Sequence, residues 1–130
     1  MDMRKRPDAI SFICFIAVLL FNCVTSAHAN ELNQIPVKGK VTLVDISSEH
    51  CDTCEEMLPV IRGLKKDYSG KIEVIEVDFW KNPDIANRFE TNTTPTILLF
   101  DKAGNEMFRG YGFIEKAVLE VQLKKAGVNR

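Results

Sequence analysis

Between Val41 and Val77 the chain reads as strand, helix, strand with short joins, and this is the pattern that most limits its possible folds. "VTLVDI" (Val41 to Ile46) is a β-branched, apolar run of buried-strand length. From Cys51 to Tyr68 the period becomes helical, with Met57, Leu58, Ile61, Leu64 and Tyr68 on one stripe. Ser69-Gly70 stops that helix, and "KIEVIEV" (Lys71 to Val77) alternates as a second strand. A βαβ unit of this kind requires its two strands to lie parallel, joined by a right-handed crossover.

The remainder must complete the sheet. After a turn at Asn82-Pro83 the pattern predicts a short helix over Pro83 to Phe89. "PTILLF" (Pro95 to Phe100) and "EMFRGY" (Glu106 to Tyr111) read as strands, joined through "DKAGN" as an antiparallel hairpin. The tail is expected to be helical from Ile114 to Ala126, with Ile114, Ala117, Val118 and Val121 inward and Gly127 as its stop. A βαβ half followed by a ββα half gives an α/β fold, a central mixed sheet with helices on both faces. Ahead of it, Glu31 to Lys40 is polar and broken by Pro36 and Gly39, a lead-in with room for a short edge strand.

The first residues read differently. Arg4, Lys5 and Arg6 precede an apolar core, "AISFICFIAVLLFNCV" (Ala9 to Val24), and Ala27 and Ala29 stand in the small-x-small pattern of a signal-peptidase site. The run of roughly 15 apolar residues is shorter than the ~20 that span a bilayer. The expectation is a cleaved signal peptide over residues 1–29, a single domain over 30–130, and export to the periplasm. Cleavage would remove Cys14, Cys23 and His28, leaving Cys51 and Cys54 as the cysteines of the exported chain. The whole chain carries a formal charge of −1, and loss of Arg4, Lys5, Arg6, Asp2 and Asp8 shifts it only slightly. Such a balance gives no case for nucleic acid or an anionic membrane surface as partner. About 100 residues can bury a real core without a disulfide framework, so the two cysteines serve something other than bulk stability.

Those cysteines lie in "SSEHCDTCEEMLP" (Ser47 to Pro59), between the end of the first strand and the start of the long helix. Free N–H groups and the helix dipole at that point favour a thiolate. Cys51 is placed at the lip and Cys54 one turn on, beneath it, a spacing that can close a small disulfide ring. The pair admits three chemistries. A zinc or copper site needs about four ligands, and Cys51, Cys54 and His50 do not complete the shell. A fixed structural disulfide over so short a loop constrains the unfolded chain little. Redox exchange is the expected use of a C-x-x-C beside a βαβ pattern in a chain that needs no metal or organic cofactor.

"VDISSEHCDTCEEMLP" resembles the active-site segment of thioredoxins, with Asp45 six residues before Cys51 and Pro59 five after Cys54. "TTPTILLF" is similar to the proline loop of that family, and Gly110-Tyr111-Gly112 falls where the family has a glycine after its last strand. The run "VDFWKNPDIANRF…TPTILLFDKAGNEMFRGYGF" resembles bacterial periplasmic thioredoxin-like proteins and the thiol domains of membrane electron transporters. The resemblance implies a thioredoxin fold and a thiol–disulfide oxidoreductase. It implies that Cys51 is the attacking nucleophile and that Cys54 resolves the mixed disulfide. Pro95 would be cis and would set the Thr94 backbone beside Cys51, where an extended substrate can pair with it. Asp45 would be a buried acid that assists proton removal from Cys54 through water.

Departures from the family bear on direction and substrate. His50 replaces the aromatic before the first cysteine, and Asp52-Thr53 replaces the usual Gly-Pro. Asp52 beside the thiolate raises its pKa and pushes toward a reductant, whereas a protonated His50 pushes toward an oxidant. Thr94 stands where Ile is common and resembles the residue of some disulfide isomerases, though isomerases of that type carry a separate dimerisation domain for which the exported chain has no room. The expectation is a monomeric periplasmic reductant of protein disulfides, recharged by a membrane thiol electron transporter, with cytochrome-c maturation components among its acceptors. Rivals are an isomerase or oxidant, and a metal- or thiol-binding module without turnover. Phe79 and Trp80 are expected in core or rim packing, Asn92-Thr93-Thr94 is a chance match to the glycosylation pattern, and Glu55 and Glu56 are acids suited to a helix's first turn.

Overall fold

The computed structural model describes residues 32–130, so the expected signal segment, with Cys14, Cys23 and His28, lies outside the described residues. Strand β1 (Val41–Ser47) leads into helix α1 (Asp52–Asp67), and β2 (Ile72–Asp78) returns alongside it. Helix α2 (Pro83–Arg88), strands β3 (Thr96–Phe100) and β4 (Glu106–Tyr111), and helix α3 (Lys116–Lys125) follow. The sheet order is β2-β1-β3-β4, with β1 and β2 parallel and the other neighbours antiparallel. This is the mixed sheet expected from a βαβ half joined to a ββα half.

The apolar periods explain the layers. Val41 and Leu43 of β1, Ile72 and Val74 of β2, and Ile97 and Leu99 of β3 share one face. They are buried there under Met57, Ile61 and Leu64 of α1 and Leu119 and Leu123 of α3. The opposite face of β3 is covered from the α2 side, where the rings of Phe89 and Phe100 meet at 5.5 Å between centroids. Arg109 of β4 ties that side down by donating from Nη1 to the Phe89 carbonyl at 2.8 Å. Because β1 is central and covered on both faces, Val41 to Ile46 are all buried and the strand reads as a continuous run. Helix α1 continues through Pro59, whose missing N–H leaves the Glu55 carbonyl without its helical donor. Its far end is bound to α3 and the C-terminus: Asp67 accepts from Lys116, and from Arg130 Nη2 at 2.6 Å.

Two expectations are corrected. In α3 the buried residues are Leu119 and Leu123, whereas Val118 and Val121 are exposed and so is Ala117. The helix begins only after Glu115, so Ile114 packs against the core from outside the helix and does not set its phase. With that anchor gone the larger leucines take the inward stripe, since they remove more apolar surface from water. Of the core or rim packing expected for Phe79 and Trp80, a core place is excluded for Trp80, which stands 74% exposed, edge-on to the half-buried Phe79 at 5.1 Å between centroids.

The corrected face of α3 is open to a direct check by denaturant unfolding. Leu119→Ala is expected to cost about 2–5 kcal/mol, and Val121→Ala no more than about 0.5 kcal/mol. A larger loss in Val121→Ala than in Leu119→Ala would place the helix in the other phase.

Candidate active site

Helix α1 needs acceptors for the N–H groups of its first turn, a role that side-chain oxygens usually fill. Here Cys51 is the N-cap, in extended conformation, and its Sγ accepts from the Cys54 N–H at 3.2 Å. The Cys51 carbonyl accepts the first helical bond, from Glu55 N–H at 3.0 Å. The chain enters this cap through His50, an exposed residue with φ of 61°, in the left-handed region that non-glycine residues adopt at a cost. Cys51 and Cys54 are joined as a disulfide, with Cα atoms 5.2 Å apart. Cys51 is half-buried at the surface, whereas Cys54 is only 5% exposed.

A second segment meets this turn. The Thr94–Pro95 peptide is cis, and the Thr94 carbonyl oxygen lies 3.9 Å from Cys51 Sγ. The Thr94 hydroxyl donates toward the same sulfur at 3.8 Å and is itself 3.1 Å from the Ser48 hydroxyl. The loop is held from behind. Thr96 Oγ1 donates to the Thr93 carbonyl at 2.7 Å, and Thr91 Oγ1 donates to Thr96 Oγ1 at 2.7 Å. Gly112 donates its N–H to the Pro95 carbonyl at 2.9 Å from a φ of 71°, so a residue free of Cβ crowding is needed there.

Asp45 lies on β1 with the parity of Val41 and Leu43, and so faces the α1 side of the sheet. It is 1% exposed. Ser47 donates its hydroxyl to Asp45 Oδ2 at 3.1 Å, while Oδ1 makes no hydrogen bond among the described residues. Burial pushes the Asp45 carboxyl up to about 6, with the Ser47 hydrogen bond opposing and the Glu76 charge adding to the rise. Cys54 starts the buried stripe of α1 that continues through Met57 and Ile61, so Asp45 and Cys54 stand at the same end of the α1–β1 interface.

Two hollows flank the disulfide. One, of about 560 Å³, is lined by Ser47, His50, Cys54, Leu58 and Glu76 among others. The other, of about 430 Å³, lies beyond Thr94 and is lined by Ser48, Phe79, Trp80 and Thr93 among others. Thus Cys51, Cys54, Thr94 and Pro95 come together, with His50 exposed beside them and Asp45 buried on the α1 side of the sheet near the end of β1. Among the described residues no group of three or more His, Cys, Asp or Glu side chains is arranged to hold a metal ion. Sequence reasoning missed Ser47, Ser48 and Glu76. The two serines were visible only as polar residues closing a strand, and Glu76 only as one charge in an alternating strand.

Comparison with known proteins agrees with this geometry. A family model described as thioredoxin matches residues 21–125. Thioredoxins of Staphylococcus haemolyticus and Staphylococcus aureus are 34% identical over 89 residues, which is 68% of this chain and 85% of theirs. Among solved structures, thioredoxin NaTrxh from Nicotiana alata superposes with a TM-score of 0.66 at 27% identity, over 78% of this chain and 86% of that one. The structure of a malarial protein gives a TM-score of 0.63 at 27% identity, over 68% of this chain and 99% of that one. With the fold, the cysteine pair at the helix cap and these relatives in agreement, the chain belongs to the thioredoxin family.

Proposed function

We propose that this thiol–disulfide oxidoreductase is a periplasmic reductant of protein disulfides, drawing its electrons from a membrane dithiol donor. The carrying observation is a disulfide whose outer sulfur, on Cys51, is reachable and caps α1, while its inner sulfur, on Cys54, is buried. In the reduced enzyme the Cys51 thiolate attacks a substrate disulfide, forms a mixed disulfide and releases one substrate thiolate, which takes a proton from water. Asp45 takes the proton of the Cys54 thiol through water, and the Cys54 sulfur then attacks Cys51. The second substrate sulfur leaves as a thiolate and takes up a proton, which Asp45 can return through water, and two electrons have passed from the enzyme to the substrate. The product is the disulfide state described above. A base of about 6 is ionised near neutrality and still holds a proton well enough to accept one. The Thr94 backbone beside Cys51 offers an edge for an extended substrate segment, and His50, exposed next to Cys51, is the proposed further contact for it.

Export rests on the signal-like stretch between Arg4 and Ala29. A reductant in an oxidising compartment has to be recharged, which is why a membrane thiol transporter is the proposed donor and oxidised periplasmic proteins, cytochrome-c maturation components among them, the acceptors. The reducing direction rests on Asp52, exposed one residue from the attacking sulfur. A second reading, an oxidant, is favoured by the Cys54 N–H and Thr94 hydroxyl that point at the same sulfur and stabilise its anion.

Three measurements test the proposal. Insulin reduction with a dithiol as donor is expected to fall to background in Cys51→Ser, and retention of activity would overturn the nucleophile. A reduction potential near about −270 mV is expected, while one near about −120 mV would establish the oxidant instead. Asp45 carries the third. Its carboxyl is raised in the folded state, so the native protein binds more protons than the unfolded chain between about pH 4 and 6, and stability falls as pH rises through that window. Asp45→Asn is therefore expected to be the more stable protein at pH 7 by up to about 3 kcal/mol, with the difference gone by about pH 3, as read from urea midpoints. A pH-independent difference would contradict the burial of an ionising carboxyl at this position.

A further inference from the structure

The parallel pairing of β1 with β2 sets Glu76 directly opposite Asp45. Residues paired in register share a face of the sheet, and neighbouring strands are about 4.8 Å apart, so two carboxylates stand side by side on the α1 side. Glu76 has the parity of the buried Ile72 and Val74, yet its side chain is 40% exposed because the larger hollow opens at that point. Ser47, which donates to Asp45, and Cys54 line the same hollow.

We propose that Glu76 is a positioning residue for the proton step at Cys54: its charge, carried in register on the adjacent strand beside Asp45, tunes how readily Asp45 takes and returns the Cys54 proton. This rests on the reading of Asp45 as the base for Cys54. The surroundings of Asp45 make Glu76 the group able to do so. On β3 its paired neighbour is the apolar Ile97, and on β1 the Ser47 hydroxyl occupies Oδ2. From α1 come the Cys54 sulfur and Lys65, whose Nζ is 3.6 Å from Glu76 Oε1 and, at 60% exposure, only partly offsets that charge. Glu49, His50, Glu55 and Asp78 also line the hollow, but the charge that adds to the rise at Asp45 is that of Glu76. A carboxylate next to a carboxyl disfavours a second negative charge, and more so where water is scarce. Burial is the larger cause of Asp45's raised proton affinity and the Glu76 charge adds to it, so removing that charge lowers the affinity without abolishing the shift.

Glu76→Gln keeps the shape of a half-exposed side chain and is not expected to disturb the fold. Two readouts test it, alone and combined with Asp45→Asn. One is the Asp45 carboxyl titration by carbon-detected NMR on the oxidised protein. The other is stopped-flow reaction of the reduced protein with an aryl disulfide, in which the second release of coloured thiolate reports the Cys54 step by itself. In Glu76→Gln the Asp45 midpoint is expected to move down by about 0.5–1 pH unit, with the acidic limb of the second phase moving alongside it. In the Asp45→Asn background the same substitution is expected to leave the second phase unmoved. An Asp45 midpoint that stays in place would overturn the role of Glu76, as would a shift of the second phase that persists without Asp45, since Glu76 would then act on the sulfur directly. If Asp45→Asn alone keeps the acidic limb, the base role of Asp45 fails and the proton step proposed for Glu76 falls with it. An unmoved midpoint beside a limb that does need Asp45 overturns Glu76 alone.

Discussion

The hydrogen bond from the Cys54 N–H to the Cys51 sulfur joins the demands of the fold to those of the chemistry. A helix starting at the end of a buried strand must find acceptors for its first N–H groups, and an oxygen-bearing side chain is the ordinary solution. With cysteine in that place, the donors that complete the helix also stabilise negative charge on the attacking sulfur. Thr94 adds a hydroxyl to the same sulfur, itself steadied by Ser48. The reactive atom is thereby held by three separate pieces of chain: the end of β1, the first turn of α1 and the loop before β3.

The sheet supplies what the cap cannot. β1 is central, so a residue near its end can be sealed from solvent and still lie under the helix start; Asp45 occupies that position. Placing an ionising carboxyl there works against stability at neutral pH, because the folded state must desolvate it with only the Ser47 hydroxyl in return. A neutral residue of similar shape would suit the core better. The retained carboxyl is the kind of local conflict between packing and charge that marks a site of proton traffic.

The parts of this arrangement that depend on neighbouring residues were legible in the sequence. Apolar period and strand length gave away β1, α1 and β2, and the helical crossover between the strands implied their parallel pairing. The cysteine pair announced itself by its place at a helix start. Thr94 and Pro95 were reached only through family resemblance, since nothing in their local pattern brings them to Cys51 across more than forty residues. The face of α3 was misread because Val118 and Val121 offer a plausible stripe at helical spacing, and the choice between it and Leu119 with Leu123 is made by the core. Glu76 was invisible for a related reason: its meaning lies in a register between two strands, and alternation along one strand does not carry that information.

The unequal exposure of the two sulfurs has a bearing on chemical damage. Peroxides and alkylating agents arriving from solvent meet the sulfur of Cys51, and the irreversible rungs of the oxidation ladder are open chiefly to that atom. In the reduced protein Cys54, buried in the first turn of the helix, stays intact within disulfide-forming reach, its Cα 5.2 Å from that of Cys51 in the disulfide state. A first oxidation of the outer sulfur to sulfenic acid can then be cleared internally, with loss of water and return to the disulfide, before a second oxidant molecule arrives. The same shielding that makes one sulfur slow to meet a substrate makes it a standing repair partner for the other.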